Sequence, residues 1–221
     1  MDEAYRANQL PLLRPDHPGV IARRPGSDAV MGRYEASRIS AVVQLPSAVL
    51  EASPAYRDLV TRLRTSPVGA KVDWAMAERR RDVLHATLCA GLERDGPVEA
   101  RRRLAAAAGF GPVAVAIGGL WVGSAFNRGR LYLPLYPERR GDDDALRLLQ
   151  HRLGGRETRF YSIGVFNLMD DLDEGETASL ATVVEEGAGT VIAETTFEDL
   201  MLLETHDDLV LDGRMIDTVR L

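Results

Sequence analysis

A single cysteine, Cys89, and the lack of any apolar run approaching the ~20 residues that span a bilayer set the first limits on this 221-residue chain. One thiol allows no intrachain disulfide, which fits a reducing compartment; the expectation is a cytoplasmic protein with no membrane partner. The first residues, Met1-Asp2-Glu3-Ala4-Tyr5-Arg6, lack the basic start and apolar core of a secretory signal. Positive charge is in deficit too, with a formal net charge of −6 and a pI near 5.3. That balance argues against binding of long nucleic acids, which needs many Lys and Arg contacts to phosphates, and leaves room for a short nucleotide in a local pocket. Zinc-ligand spacing, a phosphate loop and a serine-nucleophile elbow are all missing, and no cofactor or metal is called for. Gly109-Phe110-Gly111-Pro112 imitates a dinucleotide fingerprint, but it precedes a strand instead of opening a helix.

What is present is ordinary for a globular chain: 45% hydrophobic and 27% charged residues, enough to bury a core in one compact unit whose oligomeric state stays open. Pro11, Pro15, Pro18 and Pro25 with Gly19, Gly26 and Gly32 predict an irregular N-terminal arm over 1–37, His17 included. Ile39 to Leu45 reads as a strand stopped by Pro46. Ser53-Pro54 then caps a helix carrying Leu59, Val60 and Leu63, and a loop runs through Lys71 and Trp74. Asp95-Gly96-Pro97 starts another helix, which Gly109 closes. Pro112–Leu120 and Arg130–Leu135 read as strands. Asp144–Leu153 is predicted helical, Thr158–Leu168 a strand, and Asp170–Glu176 the start of a helix. Strands follow over Thr190–Glu204, with a break, and Met215–Leu221.

The stretch with chemical promise is Val83-Leu84-His85-Ala86-Thr87-Leu88-Cys89-Ala90. Strand alternation sets His85, Thr87 and Cys89 on one face and Leu84, Ala86, Leu88 and Ala90 on the other. An imidazole exchanges protons near neutral pH and a threonine hydroxyl donates to an oxygen, so the pair suits a phosphate; the alternative is a histidine satisfied within the sheet. The two halves also repeat one element order: strand, helix, strand, strand. Two copies at this period predict an α+β fold of two pseudo-symmetric lobes, each an antiparallel sheet flanked by helices, with a groove between them.

His85-Ala86-Thr87-Leu88, followed by a helix, a strand ending Ile117-Gly118-Gly119-Leu120 and then Gly129-Arg130-Leu131-Tyr132-Leu133, resembles the two-histidine phosphoesterase superfamily of 2′-5′ RNA ligase-like proteins and cyclic phosphodiesterases. The resemblance spans 38–221, as one domain with lobes at 38–137 and 138–221. It implies a second His-x-Thr on the matching strand, one imidazole serving as base and the other as acid around a phosphodiester. Here that strand reads Arg159-Phe160-Tyr161-Ser162-Ile163-Gly164-Val165. The best register sets Ser162 opposite His85 and Gly164 opposite Thr87; a one-residue slip presents Tyr161. Neither side chain replaces a histidine at neutral pH, because serine has no usable pKa and tyrosine titrates near 10.

The sequence therefore predicts a phosphoesterase-like protein acting on a small phosphodiester or cyclic phosphate, with a nucleotide as the expected ligand. His85 and Thr87 are the candidate catalytic residues, and Arg159, Tyr161 and Ser162 the opposite wall. The alternative is a degenerate, non-catalytic member that binds a nucleotide or a protein partner in the same groove. His206, His151 and the clusters at Asp142-Asp143-Asp144 and Asp170-Asp171 read as solvated residues or helix-end charges.

Overall fold

The computed structural model describes residues 29–30, 33–123, 129–154, 160–207 and 209–221; most of the predicted arm, and Arg159, lie outside the described residues. In chain order the elements begin with β1 (Ala29–Val30), β2 (Arg33–Gln44), α1 (Ser47–Ala52) and α2 (Pro54–Thr65). After a 3-10 turn at Pro67–Lys71 come α3 (Trp74–Arg79), β3 (His85–Cys89), α4 (Gly96–Ala105), β4 (Val113–Gly118) and β5 (Trp121–Val122). Then follow β6 (Arg130–Pro137), β7 (Arg139–Arg140), β8 (Asp143–Asp144), α5 (Ala145–Leu153) and β9 (Tyr161–Asn167). The chain ends with α6 (Glu174–Gly187), β10 (Val191–Phe197), β11 (Asp199–Asp207) and β12 (Arg214–Arg220).

The helix signals act as read. Ser53 Oγ accepts from Tyr56 N (3.1 Å) at the start of α2, Asp144 caps α5 through Arg147 N (2.8 Å), and Asp173 forms a capping box with Glu176 on α6. Asp144 and Asp173 are thus helix-start groups, while Asp170 pairs with Lys71 Nζ at 3.4 Å. One loop was longer on paper than in space. Asp73 accepts from Met76 N (2.9 Å) and starts α3 inside the stretch expected to be irregular.

The described strands form two large antiparallel sheets and a two-stranded ribbon, β7 with β8. In the first sheet β3 pairs β2, β2 pairs β11 and β11 pairs β12, with β1 folded onto β2. In the second, β10 pairs β4, β4 pairs β6, and β6 holds both β5 and β9. The fold is α+β with two lobes, and the lobes interleave in sequence. β11 and β12, late in the chain, complete the sheet of β2 and β3, while β10 crosses to join β4. The division into 38–137 and 138–221 therefore does not describe the two sheets. A sheet edge takes whichever strand supplies its missing hydrogen bonds, whatever its place in the sequence.

A continuous core runs between sheets and helices, including Leu45, Leu59, Leu88, Leu104, Ile117, Leu133, Leu146, Ile163, Leu180 and Leu202. Val42, Leu203 and Val210, with Met201 against them, form a separate small cluster on the other face of the first sheet. The edge strands β3 and β9 lie against each other where the two sheets meet.

Candidate functional site

Leu84, Ala86 and Leu88 are buried in the core, while His85 and Thr87 are half-buried on the opposite face. Directly opposed residues of an antiparallel pair share a face, so His85 stands beside Gln44 and Thr87 beside Val42 of the small cluster. Ala41 opposes Cys89 and Val42 opposes Thr87, which leaves Leu88 as the extra residue of a β-bulge. The bulge breaks the alternation. Cys89 turns inward beside Ala41 and is 1% exposed, so the expectation that it shares the face of His85 is corrected.

β9 repeats this device against β6. Leu131 opposes Phe166 and Tyr132 opposes Gly164, leaving Val165 extra, and Ser162 opposes Pro134. Aligned on their bulges, His85-x-Thr87-Leu88 and Ser162-x-Gly164-Val165 coincide, with Ser162 at the place of His85 and Gly164 at that of Thr87 in its own strand pair. Tyr161 lies on the core side of β9, 5% exposed, and is separated from Ser162 by the pleat. Its hydroxyl donates to Gln150 Oε1 (3.1 Å), and Gln150 Nε2 donates to the Leu88 carbonyl (2.7 Å) at the β3 bulge. Burial, and then the Asp144 carboxylate, push the phenol well above its usual range. Tyr161 is thus a buried link between the two sheets, on the core side of β9 and not on the face of Ser162.

The His85 ring is fixed by Nδ1, which lies 2.8 Å from the Val83 carbonyl. A carbonyl only accepts, so Nδ1 carries the proton and Nε2 keeps the lone pair. Burial lowers the imidazole pKa; the Val83 bond opposes that, and the charges of Arg80 and Arg130 lower it further. At neutral pH the ring is a neutral base in a positive field. Arg80, 3% exposed, donates Nε–H to the Leu209 carbonyl (2.8 Å) and Nη1–H to the Gly164 carbonyl (3.1 Å). It thereby ties the β11–β12 hairpin to β9. Arg130, on β6, donates Nε–H to Asn167 Oδ1 (3.3 Å).

The sequence reading missed both arginines. Arg80 sits in Glu78-Arg79-Arg80-Arg81-Asp82, which looks like a solvated charge run, and nothing local distinguishes its middle residue. Arg130 opens a strand. His206 is exposed; its backbone N–H donates to Asp212 Oδ1 (3.1 Å) within the hairpin. His151 is exposed in the last turn of α5. A cavity of about 450 Å³ is lined by Gln44, Ser47, Asp82, Thr196, Asp199 and Met201; Gln44 is the β2 residue opposed to His85, and His85 itself does not line the cavity. Among the described residues no set of His, Cys, Asp and Glu is grouped to hold a metal, and no helix is long and apolar enough to cross a membrane.

Fold and site together define an α+β protein of two antiparallel sheets whose edge strands, β3 with its half-buried His85 and β9 with Ser162, lie against each other. No protein-family model matches the chain, and no curated protein does. Among solved structures it is similar to E. coli LigT complexed with NADP+, at 14% identity over 84% of this chain and 98% of that one, TM-score 0.45. It is also similar to Kluyveromyces marxianus Usb1, at 13% identity over 83% of this chain and 98% of that one, TM-score 0.44.

Proposed function

We propose that the groove binds a small phosphodiester or cyclic phosphate, with a nucleotide as its ligand, and that His85 is the base of a weakened phosphoesterase. The observation that carries this reading is the fixed tautomer of His85, with Nε2 unprotonated, on the strand face it shares with Thr87. The resemblance of His85-x-Thr87 to the two-histidine phosphoesterases supports it.

In the reaction, Nε2 takes a proton from a water as that oxygen bonds to phosphorus. The ester P–O bond breaks, and the leaving oxygen takes a proton from solvent. Thr87 donates its hydroxyl to a non-bridging oxygen, which preorganises the site for the charge that develops. Loss of one general acid typically costs about 100- to 10,000-fold, so slow turnover is expected. Strained cyclic esters suit such a site best, because ring opening releases strain.

The Ser162-x-Gly164 pair favours a second reading, a binding module that holds the phosphate without turning it over. Assays on a panel of nucleoside cyclic phosphates, wild type beside His85→Ala, separate the two. Turnover lost in the variant supports catalysis by His85, and binding without turnover in the wild type supports the module. Turnover indifferent to the substitution removes His85 from the chemistry.

A further inference from the structure

Gly164 holds the register place of Thr87 on the opposite strand, yet it has no positive φ and its backbone does not require glycine. What the missing side chain provides is room. A Cβ there would stand 3.1 Å from Cδ and 3.6 Å from Cγ of Arg130, and 3.5 Å from Cε1 of Tyr132. The arginine stem therefore runs over Gly164, through the space a threonine would use. Its head is oriented by the 3.3 Å bond from Nε–H to Asn167 Oδ1. Asn167 is 5% exposed, and its Nδ2 is a buried donor with no acceptor among the described residues. A buried donor without an acceptor is costly because its lost hydration is not replaced, and an anionic oxygen beside the guanidinium would satisfy it.

We propose that Arg130 is the phosphate-contacting residue of the β9 wall, its guanidinium replacing the second His-x-Thr motif so that phosphate is held between Thr87 and a fixed cation. This deepens the phosphate reading of the groove and rests on it. Guanidinium offers a rigid fork of donors that matches phosphate oxygens, and it does not give up its proton. It stabilises charge on phosphorus without protonating a leaving group. The chemical consequence is a site selective for phosphates with a good or strained leaving oxygen, and retentive toward the product anion.

The test uses the full-length protein, labelled with 15N-arginine and 13C-histidine, titrated with inorganic phosphate. The Arg130 Nε–H and His85 ring signals should both move with one binding curve. Arg130→Gln should weaken phosphate by about 10- to 100-fold, the loss expected of a charge-assisted hydrogen bond. Arg130→Lys should bind between the two. Without phosphate, the His85 titration midpoint should rise in Arg130→Gln and stay low in Arg130→Lys, which a merely structural role would not produce. A phosphate response at His85 with an unmoved Arg130 signal, or wild-type affinity in Arg130→Gln, overturns the inference while leaving the groove reading intact. No response at either residue defeats the groove reading itself. If Arg130→Gln does not fold, the wild-type Arg130 signal decides alone.

Discussion

Ser162 occupies on β9 the position that His85 occupies on β3: each is the third residue ahead of its strand's bulge, Val165 in one and Leu88 in the other. The two edge strands share one bulged plan, and of the two positions only the one on β3 carries an imidazole. Under the phosphoesterase proposal, the second acid is therefore absent as a side chain and not as a backbone position.

Restoring that side chain is therefore a direct experiment. Ser162→His should raise the hydrolysis rate of a nucleoside cyclic phosphate by at least about 10-fold, within the range a general acid contributes. Initial rates at saturating substrate, compared with the Ser162→His, His85→Ala double variant, check it. A rate unchanged by the new imidazole would mean that the walls do not converge on one phosphate.

The depressed pKa of His85 ties stability to pH. In the unfolded chain the ring titrates near its ordinary 6.5, and in the fold it titrates lower. As pH falls through 6.5 the unfolded state takes up the proton first, so stability drops from there down to the folded pKa and is unaffected by this group above 6.5. Urea denaturation between pH 7 and 5 should show a steeper loss in wild type than in His85→Gln. Equal slopes would mean that the ring is not held neutral.

Tyr161→Phe tests the link between the lobes. It removes the donor to Gln150 Oε1 in a fully buried setting, which should cost about 1–3 kcal/mol of stability because the amide oxygen is left unsatisfied. Chemical denaturation measures the cost, and phosphate affinity should be unchanged. A change in affinity instead would return Tyr161 to the groove.

Arg80→Ala frees the Leu209 and Gly164 carbonyls and removes a cation near His85. Hydrogen bonds to a charged group contribute about 1.5–3 kcal/mol, so a loss on that scale is expected. Hydrogen exchange should quicken in the hairpin and in β9, and the His85 midpoint should rise in an NMR titration. Quickened exchange in the hairpin alone would mean that Arg80 does not clasp β9.

Much of this was legible in the sequence because it depends on neighbours in the chain. Ser53-Pro54, Asp144 and Asp173 start helices through bonds within one turn, and alternation in β3 sets His85 and Thr87 on one face with Leu84, Ala86 and Leu88 on the other. The tertiary structure decided the rest. A bulge is a relation between two strands, so only pairing with Ala41 and Val42 shows that Cys89 leaves the face of His85. Only pairing with β6 chooses Ser162 over Tyr161. The crossing of β10 to β4 and the influence of the Arg130 charge on the imidazole join residues far apart in the chain. Local propensity carries no record of such contacts, because burial and electrostatics act through space and not along the backbone.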